Sequence, residues 1–267
     1  MLLRLFVYTG NVQTIAVANM KGGVGKSATA QALGFVLSAS KRVLLVDCDP
    51  QSSLTAMSGV RDAEGHSLAE VIGTTAPGAI TLASIARKLS PTLSLIPSDI
   101  ALAQSELSLT TRLGREGVLQ RALSTVAGSY DLALLDCPPS LSLLTVNALV
   151  AANGVLIPTQ PQITDIRALR LFFQSVANVK AALNPALQIV GVLPTFYDGR
   201  YTHHNEALRA MQEAGFPLLP LQVGRSVKVA EAAGAGQSIV SYDPSNPQAA
   251  AYQAVAEFIN TWLNEQK

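Results

Sequence analysis

The chain has 267 residues, of which 49% are hydrophobic and 14% are charged, and its formal net charge is +1. This composition excludes an intrinsically disordered protein. The near-neutral charge excludes a protein that coats nucleic acid over its whole surface, while leaving room for a local basic patch.

Residues 1–12 are predicted to be an N-terminal extension, either an additional edge strand or a leader. Their short apolar run lacks the full hydrophobic region and the cleavage site of a signal peptide. Residues 13–267 are predicted to form a single domain, because they contain no repeat, low-complexity tract or Pro/Gly-rich linker. No stretch of the sequence approaches the roughly 20 apolar residues of a membrane-spanning helix.

Short apolar runs typical of buried strands recur along the chain. They are TIAVAN (14–19), RVLLVD (42–47), LSLIP (93–97), DLALLD (131–136), GVLIPT (154–159), QIVGVL (188–193) and FPLLPL (216–221). Segments with helical periodicity lie between them, for example 140–152 and 165–183. This alternation predicts a doubly wound α/β fold with a mostly parallel sheet flanked by helices. Ligands bind such sheets at the carboxyl ends of the strands.

The segment KGGVGKS (21–27) follows the first predicted strand and precedes a predicted helix at 27–39. Its glycines allow backbone N–H groups to point at phosphate oxygens, and the helix N-terminus adds positive charge. Lys26 is predicted to reach the β- and γ-phosphates, and the Ser27 hydroxyl to ligate Mg²⁺. Since Met20 replaces the first glycine of the usual motif, this is a deviant Walker A loop. The predicted nucleotide-binding residues of the loop are Gly22, Gly23, Val24, Gly25, Lys26, Ser27 and Ala28.

Acidic residues end two of the predicted strands. Asp47 and Asp49 end the second strand, and Asp136 ends the fourth. An aspartate at such a place is commonly a turn or helix cap. Beside a phosphate loop, however, Asp136 is predicted to be a Walker B carboxylate near Mg²⁺.

The two cysteines, Cys48 and Cys137, each lie next to one of these aspartates and are predicted to be core residues. They are far apart in the chain and lack a disulfide or metal-binding spacing, which favours a reduced, cytoplasmic protein.

Together these motifs resemble the ParA/Soj group of deviant Walker A ATPases, which is related to MinD. The resemblance runs from about residue 13 to the C-terminus. It rests on KGGVGKS, RVLLVDCDPQSSLT, LIPSDIALAQSELSL, YDLALLDCPPSLSLLTVNAL and VKVAEAAGAGQSI. It implies a P-loop NTPase-like fold, ATP and Mg²⁺ as cofactors, and slow, partner-stimulated hydrolysis of ATP to ADP and phosphate. It also implies a homodimer that sandwiches ATP.

The resemblance further implies roles for individual residues. Lys21 is expected to be the signature lysine, which reaches the partner's ATP and, with Lys26, offsets charge on the transferring phosphoryl group. Asp49 is expected to position the attacking water, with Asp47 and Asp136 around Mg²⁺. A weaker α-phosphate contact is expected at Ala28, where the family usually has a hydroxyl residue.

The adenine base is expected to lie between PTFYDGR (194–200) and QVGRS (222–226), where Thr195, Gly224 and Ser226 are the predicted contacts. The second segment commonly reads Pro-Arg-Asn in the family and therefore departs from the pattern here.

Nonspecific DNA binding is expected in RSVKVAEA (225–232), where Lys228 stands at the position of the family's DNA-binding arginine. Arg225 and Arg200 are expected nearby, and lysine can contact a phosphate as a point charge. The alternative interpretation is that these are scattered solubilising charges. The expected partner is a ParB-type or other cargo-adaptor protein, and the expected location is cytoplasmic and nucleoid-associated.

Other function classes remain open at this point. Related ATPases position a protein cargo, such as a carboxysome or a chemoreceptor cluster. A MinD-like, membrane-cycling ATPase would need a basic amphipathic C-terminal helix. The tail has Glu257 and Glu265 against Lys267, so it is predicted to pack on the body instead, with no membrane partner. His203 and His204 are predicted to lie in a solvated turn before a helix rather than in a metal site.

Overall fold

The computed structural model describes residues 12–74 and 80–266, so the predicted N-terminal extension lies outside it except for Val12. The described strands are β1 Gln13–Val17, β2 Val43–Asp47, β3 Arg87–Lys88, β4 Leu93–Ile96, β5 Leu132–Asp136, β6 Gly154–Thr159, β7 Gln188–Tyr197 and β8 Val223–Gly224. They form one eight-stranded sheet in the order β3-β4-β2-β5-β1-β6-β7-β8. Every pairing is parallel except that of β3 with β4.

Helices connect the parallel strands. They are α1 Lys26–Leu37, α2 Ser53–Met57, α3 Leu68–Gly73, α4 Leu82–Ile85, α5 Ala101–Leu109, α6 Val118–Ser124, α7 Leu143–Ala151, α8 Asp165–Ala182, α9 Thr202–Glu213, α10 Val227–Gly234, α11 Ile239–Tyr242 and α12 Pro247–Glu265. A short 3₁₀ turn at Arg115–Gly117 precedes α6. The predicted α/β class with a mostly parallel sheet is confirmed.

The sheet separates two apolar cores, which explains why its strands are apolar on both faces. Successive residues of β2 alternate between them, with Leu44 and Val46 in one core and Val43 and Leu45 in the other. Helices α3 and α5 to α8 cover the first face, and α1, α11 and α12 cover the second. The strands are therefore buried between two helical layers, and polar side chains collect at the strand ends.

Helix α12 packs on the body of the protein, as predicted for the tail. Tyr252, Val255, Ile259 and Leu263 are buried in the core shared with α1. The ring of Trp262 lies so close to Gly154 that a Cβ at that glycine would come within 2.5 Å of it. The apolar side of this helix is thus committed to the fold. None of the described helices has the length and apolarity needed to cross a membrane.

The structure corrects two details of the sequence prediction. The run 216–221 is not a strand, because Pro217 and Pro220 lack the N–H that a ladder requires. Only Leu218 makes an isolated bridge there, with Val192, and the sheet edge is β8 instead. The histidines 203 and 204 lie in the first turn of α9 rather than in a turn before it.

Candidate functional site

The loop between β1 and α1 has the shape of a phosphate cradle. Gly25 precedes α1 with φ 85°, and Gly23 has φ 71°, a left-handed conformation that side chains rarely adopt. No atom lies within 4 Å of the position that a Cβ would occupy on Gly23, so the backbone angle rather than crowding requires glycine there. The loop therefore turns directly into the N-terminus of α1, where free N–H groups attract anions.

Neighbouring strands hold this loop in place. The Asn19 side chain donates hydrogen bonds to Pro158 O (2.8 Å) and Thr159 Oγ1 (3.0 Å) on β6. On the other flank, Thr195 Oγ1 donates to Val24 O at 2.8 Å. These bonds link residues that are far apart in sequence, so the cradle is organised before any ligand binds.

Lys26 lies inside the cradle. Its side chain is buried, and its Nζ donates to the Lys21 carbonyl at 3.1 Å. Burial lowers the pKa of Lys26, and the Asp136 charge acts in the opposite direction. A buried ammonium next to the loop gains more from an anionic ligand than an exposed one would, because water screens it less.

Two carboxylates face the cradle from neighbouring strands. Asp47 and Asp136 are direct partners in the parallel register of β2 and β5, and both are fully buried. Burial, followed by the charge of Asp47, raises the pKa of Asp136 well above its usual range. Burial also raises the pKa of Asp47 to about 6, against the opposing effect of hydrogen bonds from Thr55. The ligand-free site thus holds two carboxyl groups in surroundings that favour their neutral forms.

The hydrogen bonding of these two groups differs. Asp47 accepts from Thr55 N (2.8 Å), Thr55 Oγ1 (2.7 Å) and Asp49 N (3.1 Å). Among the described residues, no donor makes a well-formed hydrogen bond to either carboxylate oxygen of Asp136. The Ser27 hydroxyl is nevertheless close enough to lower the pKa of Asp136, against the larger effects of burial and of Asp47. An unpartnered buried carboxylate near the Ser27 hydroxyl fits a hard, oxygen-seeking cation such as Mg²⁺. Asp136 and Ser27 could hold the ion directly, and Asp47 could orient the surrounding water.

The described residues do not supply a complete set of metal ligands by themselves. Nowhere in 12–74 or 80–266 do three or more His, Cys, Asp or Glu side chains group in a way that could hold a metal ion. This agrees with a Mg²⁺ site that is completed by phosphate oxygens and water, as is usual for this ion.

Asp49 lies two residues beyond Asp47, at the rim of the site. It is 9% exposed, and its Oδ1 accepts a hydrogen bond from Gln51 N at 2.9 Å. Among the described residues this is the hydrogen bond that its side chain accepts, and its other carboxylate oxygen could accept from a water molecule. The position is compatible with the predicted role of orienting the attacking water.

Lys21 contacts residues that follow β6, whereas Lys26 interacts with Asp136 of β5, on the other neighbour of β1. The Lys21 Nζ lies 2.8 and 3.0 Å from the two carboxylate oxygens of Asp165 and 2.7 Å from Gln162 Oε1. The Lys21 side chain is 33% exposed, whereas that of Asp165 is 6% exposed. Neither acceptor was predicted from the sequence. An acidic residue in the first turn of a helix ordinarily complements the helix dipole, so nothing in the sequence pattern indicates the ion pair of Asp165 with Lys21.

A cavity of about 200 Å³ adjoins the loop on the side of β7 and β8. It brings together the predicted base contacts Thr195, Gly224 and Ser226 with Gly25 and Ala28 of the loop. Phe196 and Tyr252 also line it, and neither was predicted. The cavity is largely apolar and opens beside the phosphate cradle, as a base-binding site must.

The predicted DNA-binding residues all lie at the surface. The Lys228 side chain is 51% exposed and binds Glu231 at 2.7 Å, while Arg200 binds Asp198 at 2.6 Å. Arg225 is exposed on the segment that leads into α10. Lys228 and Arg200 are therefore engaged in local ion pairs that a phosphate would have to replace.

The fold and this constellation define a class of protein: a P-loop nucleotide-binding ATPase with a deviant Walker A loop. Comparison with known proteins refines the class. A family model described as an AAA domain matches residues 12–189. The chromosome-partitioning ATPase Soj of Thermus thermophilus is 38% identical, over 95% of this chain and 98% of that protein. The sporulation initiation inhibitor protein Soj of Bacillus subtilis is 36% identical, over 91% and 96%. The chain belongs to the ParA/Soj family of ATPases, which confirms the resemblance seen in the sequence.

Solved structures agree with this assignment. A structure titled cobyrinic acid a,c-diamide synthase from Mycobacterium smegmatis, with bound ADP and magnesium, is 33% identical with a TM-score of 0.81 and covers 94% of this chain and 95% of that one. Apo McdA from Cyanothece is 25% identical with a TM-score of 0.82, over 92% and 98%. The Mycobacterium protein is also known with an ATP analogue and magnesium. These similar structures confirm the prediction of ATP and Mg²⁺ as cofactors.

Proposed function

We propose that this protein is a partition ATPase that dimerises around ATP and Mg²⁺, binds DNA without sequence preference, and moves or positions a DNA cargo together with a ParB-type partner. The proposal places it in the cytoplasm, on the nucleoid, with slow hydrolysis that DNA and the partner stimulate.

One observation carries the proposal: the two lysines of a single loop have different surroundings. Lys26 is buried beside Asp136, where it can bind the phosphates of its own nucleotide. Lys21 is partly exposed and held by Asp165 on the other side of β1. A partly exposed lysine that is not buried with its own carboxylate pair is available to reach a second site. This geometry supports a trans role for Lys21 in a sandwich dimer.

The chemistry would then proceed from residues on both protomers. Backbone N–H groups of the loop and Lys26 bind the phosphates, and Asp136 with Ser27 holds the ion. Bound Mg²⁺ supplies charge neutralisation at the phosphate oxygens. Asp49 orients the attacking water, and the partner's copy of the outward lysine stabilises the charge that develops on the transferring group. Hydrolysis is slow in the single chain because this last cation is absent until the dimer forms.

The DNA-binding part of the proposal depends on Lys228, Arg225 and Arg200, all exposed near the β7–β8 side of the sheet. Phosphate contacts of this kind provide affinity without sequence information. A cargo made of protein would use the same cycle of ATP binding and DNA release. A MinD-like membrane cycle is less well supported, because the apolar face of α12 is already buried against the body.

The decisive experiment combines binding and turnover. Equilibrium titration with ATP in the presence of Mg²⁺ should give saturable binding, and Lys26→Ala should abolish it. Steady-state phosphate release should rise when nonspecific duplex DNA and a ParB-like protein from the same genome are added together. Absence of ATP binding by the wild-type protein would overturn the proposal. If the protein binds ATP but DNA and the ParB-like protein do not stimulate hydrolysis, the partition role would be wrong. Pelleting with anionic vesicles tests the membrane alternative.

A further inference from the structure

The C-terminal ends of two helices meet backbone to backbone. Gly59 follows α2 with φ 79°, and Gly236 follows α10 with φ 70°. A Cβ on Gly236 would lie 2.7 Å from Gly59 Cα and 3.1 Å from Gly59 N, and a Cβ on Gly59 would lie 3.3 Å from Gly236 O. The approach of α2, as well as the left-handed backbone angle, therefore requires glycine at position 236.

This contact contains no side chain that could absorb a displacement. Packed side chains can respond to a shift by changing rotamer, whereas main-chain atoms at a helix end move only with the helix. Each glycine is also bound to its own helix. Gly59 N donates to Ala56 O at 3.0 Å, and Gly236 N donates to Ala233 O at 3.0 Å. A movement of α2 toward α10 therefore has to move α10.

Helix α2 is tied to the carboxylates of the nucleotide site. The backbone N and the Oγ1 of Thr55 donate to Asp47 Oδ2 at 2.8 and 2.7 Å. At the start of the helix, Ser52 N donates to Asp49 O at 2.8 Å. Ser52 has φ 51°, a strained conformation of the kind that occurs in switch segments. A ligand beside these two carboxylates thus acts on the residues that hold α2 in place.

Helix α10 is lightly attached to the body and carries the expected DNA contact. Of its eight residues, Ala232 is the buried one. Lys228 lies in its first turn, where the backbone N donates to Ser226 Oγ at 3.2 Å. Elements with few buried contacts move at low cost, and a helix of this length is a rigid unit roughly 12 Å long. A displacement of its C-terminal end at Gly236 therefore also changes the position of Lys228.

We propose that the Gly59–Gly236 contact transmits the state of the nucleotide site to α10, so that ligand binding beside Asp47 and Asp49 repositions Lys228. The inference rests on the proposed ATP-driven binding of DNA, and it deepens that proposal by naming the contact through which one site regulates the other. The element that moves is α10, and both sites act on it: the nucleotide site through α2, and DNA through the first turn of the helix.

Alanine variants of three left-handed glycines test the link. Gly236→Ala forces a methyl group against the Gly59 main chain, and Gly59→Ala introduces the milder approach to Gly236 O. Gly215→Ala is the matched control. Gly215 has φ 81° and follows α9 with the same hydrogen-bond pattern that Gly236 makes after α10, but no other described atom lies within 4 Å of its Cβ position. All three variants share the cost of a side chain in the left-handed region, and only the first two disturb the contact.

DNA affinity with and without ATP and Mg²⁺ measures the transmission. Fluorescence anisotropy with a nonspecific duplex gives the ATP-dependent gain in affinity. In Gly236→Ala this gain should fall at least about fivefold below that of the wild type, the lower end of typical coupling between two sites. Gly59→Ala should lose less, Gly215→Ala should keep the full gain, and ATP affinity should stay within about twofold of wild type in all three. An unchanged gain in Gly236→Ala, an equal loss in Gly215→Ala, or a loss of ATP affinity in Gly236→Ala would overturn the inference.

Hydrogen–deuterium exchange separates the glycine contact from a direct effect of the nucleotide on α10, since Val229 and Ala233 line the cavity beside the phosphate loop. Tripolyphosphate with Mg²⁺ has no base to enter that cavity. At saturation it should still change the exchange of amides 228–237 in the wild type and in Gly215→Ala, but not in Gly236→Ala; if Gly236→Ala does not fold, Gly59→Ala takes its place. No response of the wild type, or the same response in the glycine-contact variant, would overturn the inference. If the wild type responds in this way but binds no DNA, the proposed function fails while the link between the two helices stands.

Discussion

Lys21 and Asp165 form an ion pair across the β1–β6 edge of the site, with the ammonium 2.8 and 3.0 Å from the two carboxylate oxygens. Gln162 supplies a third acceptor at 2.7 Å. The lysine that is predicted to act on a partner's ATP is therefore already bound within its own chain. In the proposed dimer this internal partner would be exchanged for an external phosphate, so the pair would oppose dimerisation in proportion to its own strength.

Asp165→Asn should make ATP-driven dimerisation easier. The substitution keeps the shape of the side chain but removes the charge that holds Lys21. Partly exposed ion pairs are worth about 1 kcal/mol or less, so we expect a gain of at most about fivefold per protomer in dimer affinity. Light scattering across a protein concentration series with ATP and Mg²⁺ would measure it.

Two controls sharpen this test. Glu213→Gln removes an exposed carboxylate at the end of α9 and should leave the dimer unchanged. Adding Lys21→Ala to the Asp165→Asn variant should abolish the gain, because no cation remains to be released. A weaker or unaltered dimer for Asp165→Asn alone would show that the ion pair does not compete with dimerisation.

Asp49→Ala should bind ATP like the wild-type protein yet hydrolyse it at least tenfold more slowly, because general-base and water-positioning groups contribute about 10²–10⁴-fold. The phosphate cradle does not depend on this side chain, whose observed contact is a local bond from Gln51. The variant should accumulate as an ATP-bound dimer, visible by size-exclusion chromatography with ATP in the buffer. A variant that stays monomeric at micromolar concentration with bound ATP would refute the role assigned to Asp49.

Lys228→Glu should weaken binding to unrelated DNA duplexes without affecting ATP-driven dimerisation. Each phosphate contact contributes about 0.9 to the slope of log affinity against log salt concentration, and a dimer carries two copies of this lysine. Conversely, Glu231→Gln frees Lys228 from its 2.7 Å ion pair and should strengthen DNA binding modestly. Fluorescence anisotropy over a salt series measures both effects. The matched control is Lys180→Glu, a charge reversal near the end of α8. If the salt-dependence slope of Lys228→Glu equals that of the wild type, residues 225–232 do not contact DNA.

The ligand-free protein should lose stability as pH rises between about 4 and 6. Burial raises the pKa of Asp47 from its ordinary value of 3.8 to about 6. Across this window the folded chain retains a proton that the unfolded chain has released, so the free energy of unfolding falls with increasing pH. Asp47→Asn removes the titrating group and should flatten that part of the profile. Urea midpoints from pH 4.5 to 7.5 measure the difference; parallel curves for the two proteins would contradict it.

Much of the fold could be predicted because its strands are buried on both faces. Their apolar runs and the turns that follow them are local signals. The phosphate loop is one of those turns, and the carboxylates 47 and 136 are the last residues of their strands. The run 216–221 was wrongly predicted to be a strand, because the prediction relied on its apolar residues and neglected its two prolines. Strand β3 has only two residues and shows no periodicity, so no pattern could indicate it.

The parts of the site that were missed depend on relations that a sequence pattern does not contain. Asp165 lies 144 residues after Lys21 in the chain. The two residues meet only because the sheet places β6 next to β1. Phe196 was one residue in a segment already assigned to the base. Its place in the cavity depends on a backbone angle and a register shift, which tertiary contacts impose.

The position of β1 between β5 and β6 also has a consequence for the protein during its synthesis. The glycine loop leaves the ribosome early, but its partners Asp136, Asp165 and Thr195 follow much later, and Thr195 is 171 residues from the carbonyl it binds. A ribosome-stalled chain ending near residue 150 should therefore not be retained on immobilised ATP, whereas the released 267-residue chain should be. We expect nucleotide affinity only when the last strands have joined the sheet. A nascent chain would then be unable to enter the proposed ATP cycle, or to pair with finished copies, until its own folding is nearly complete.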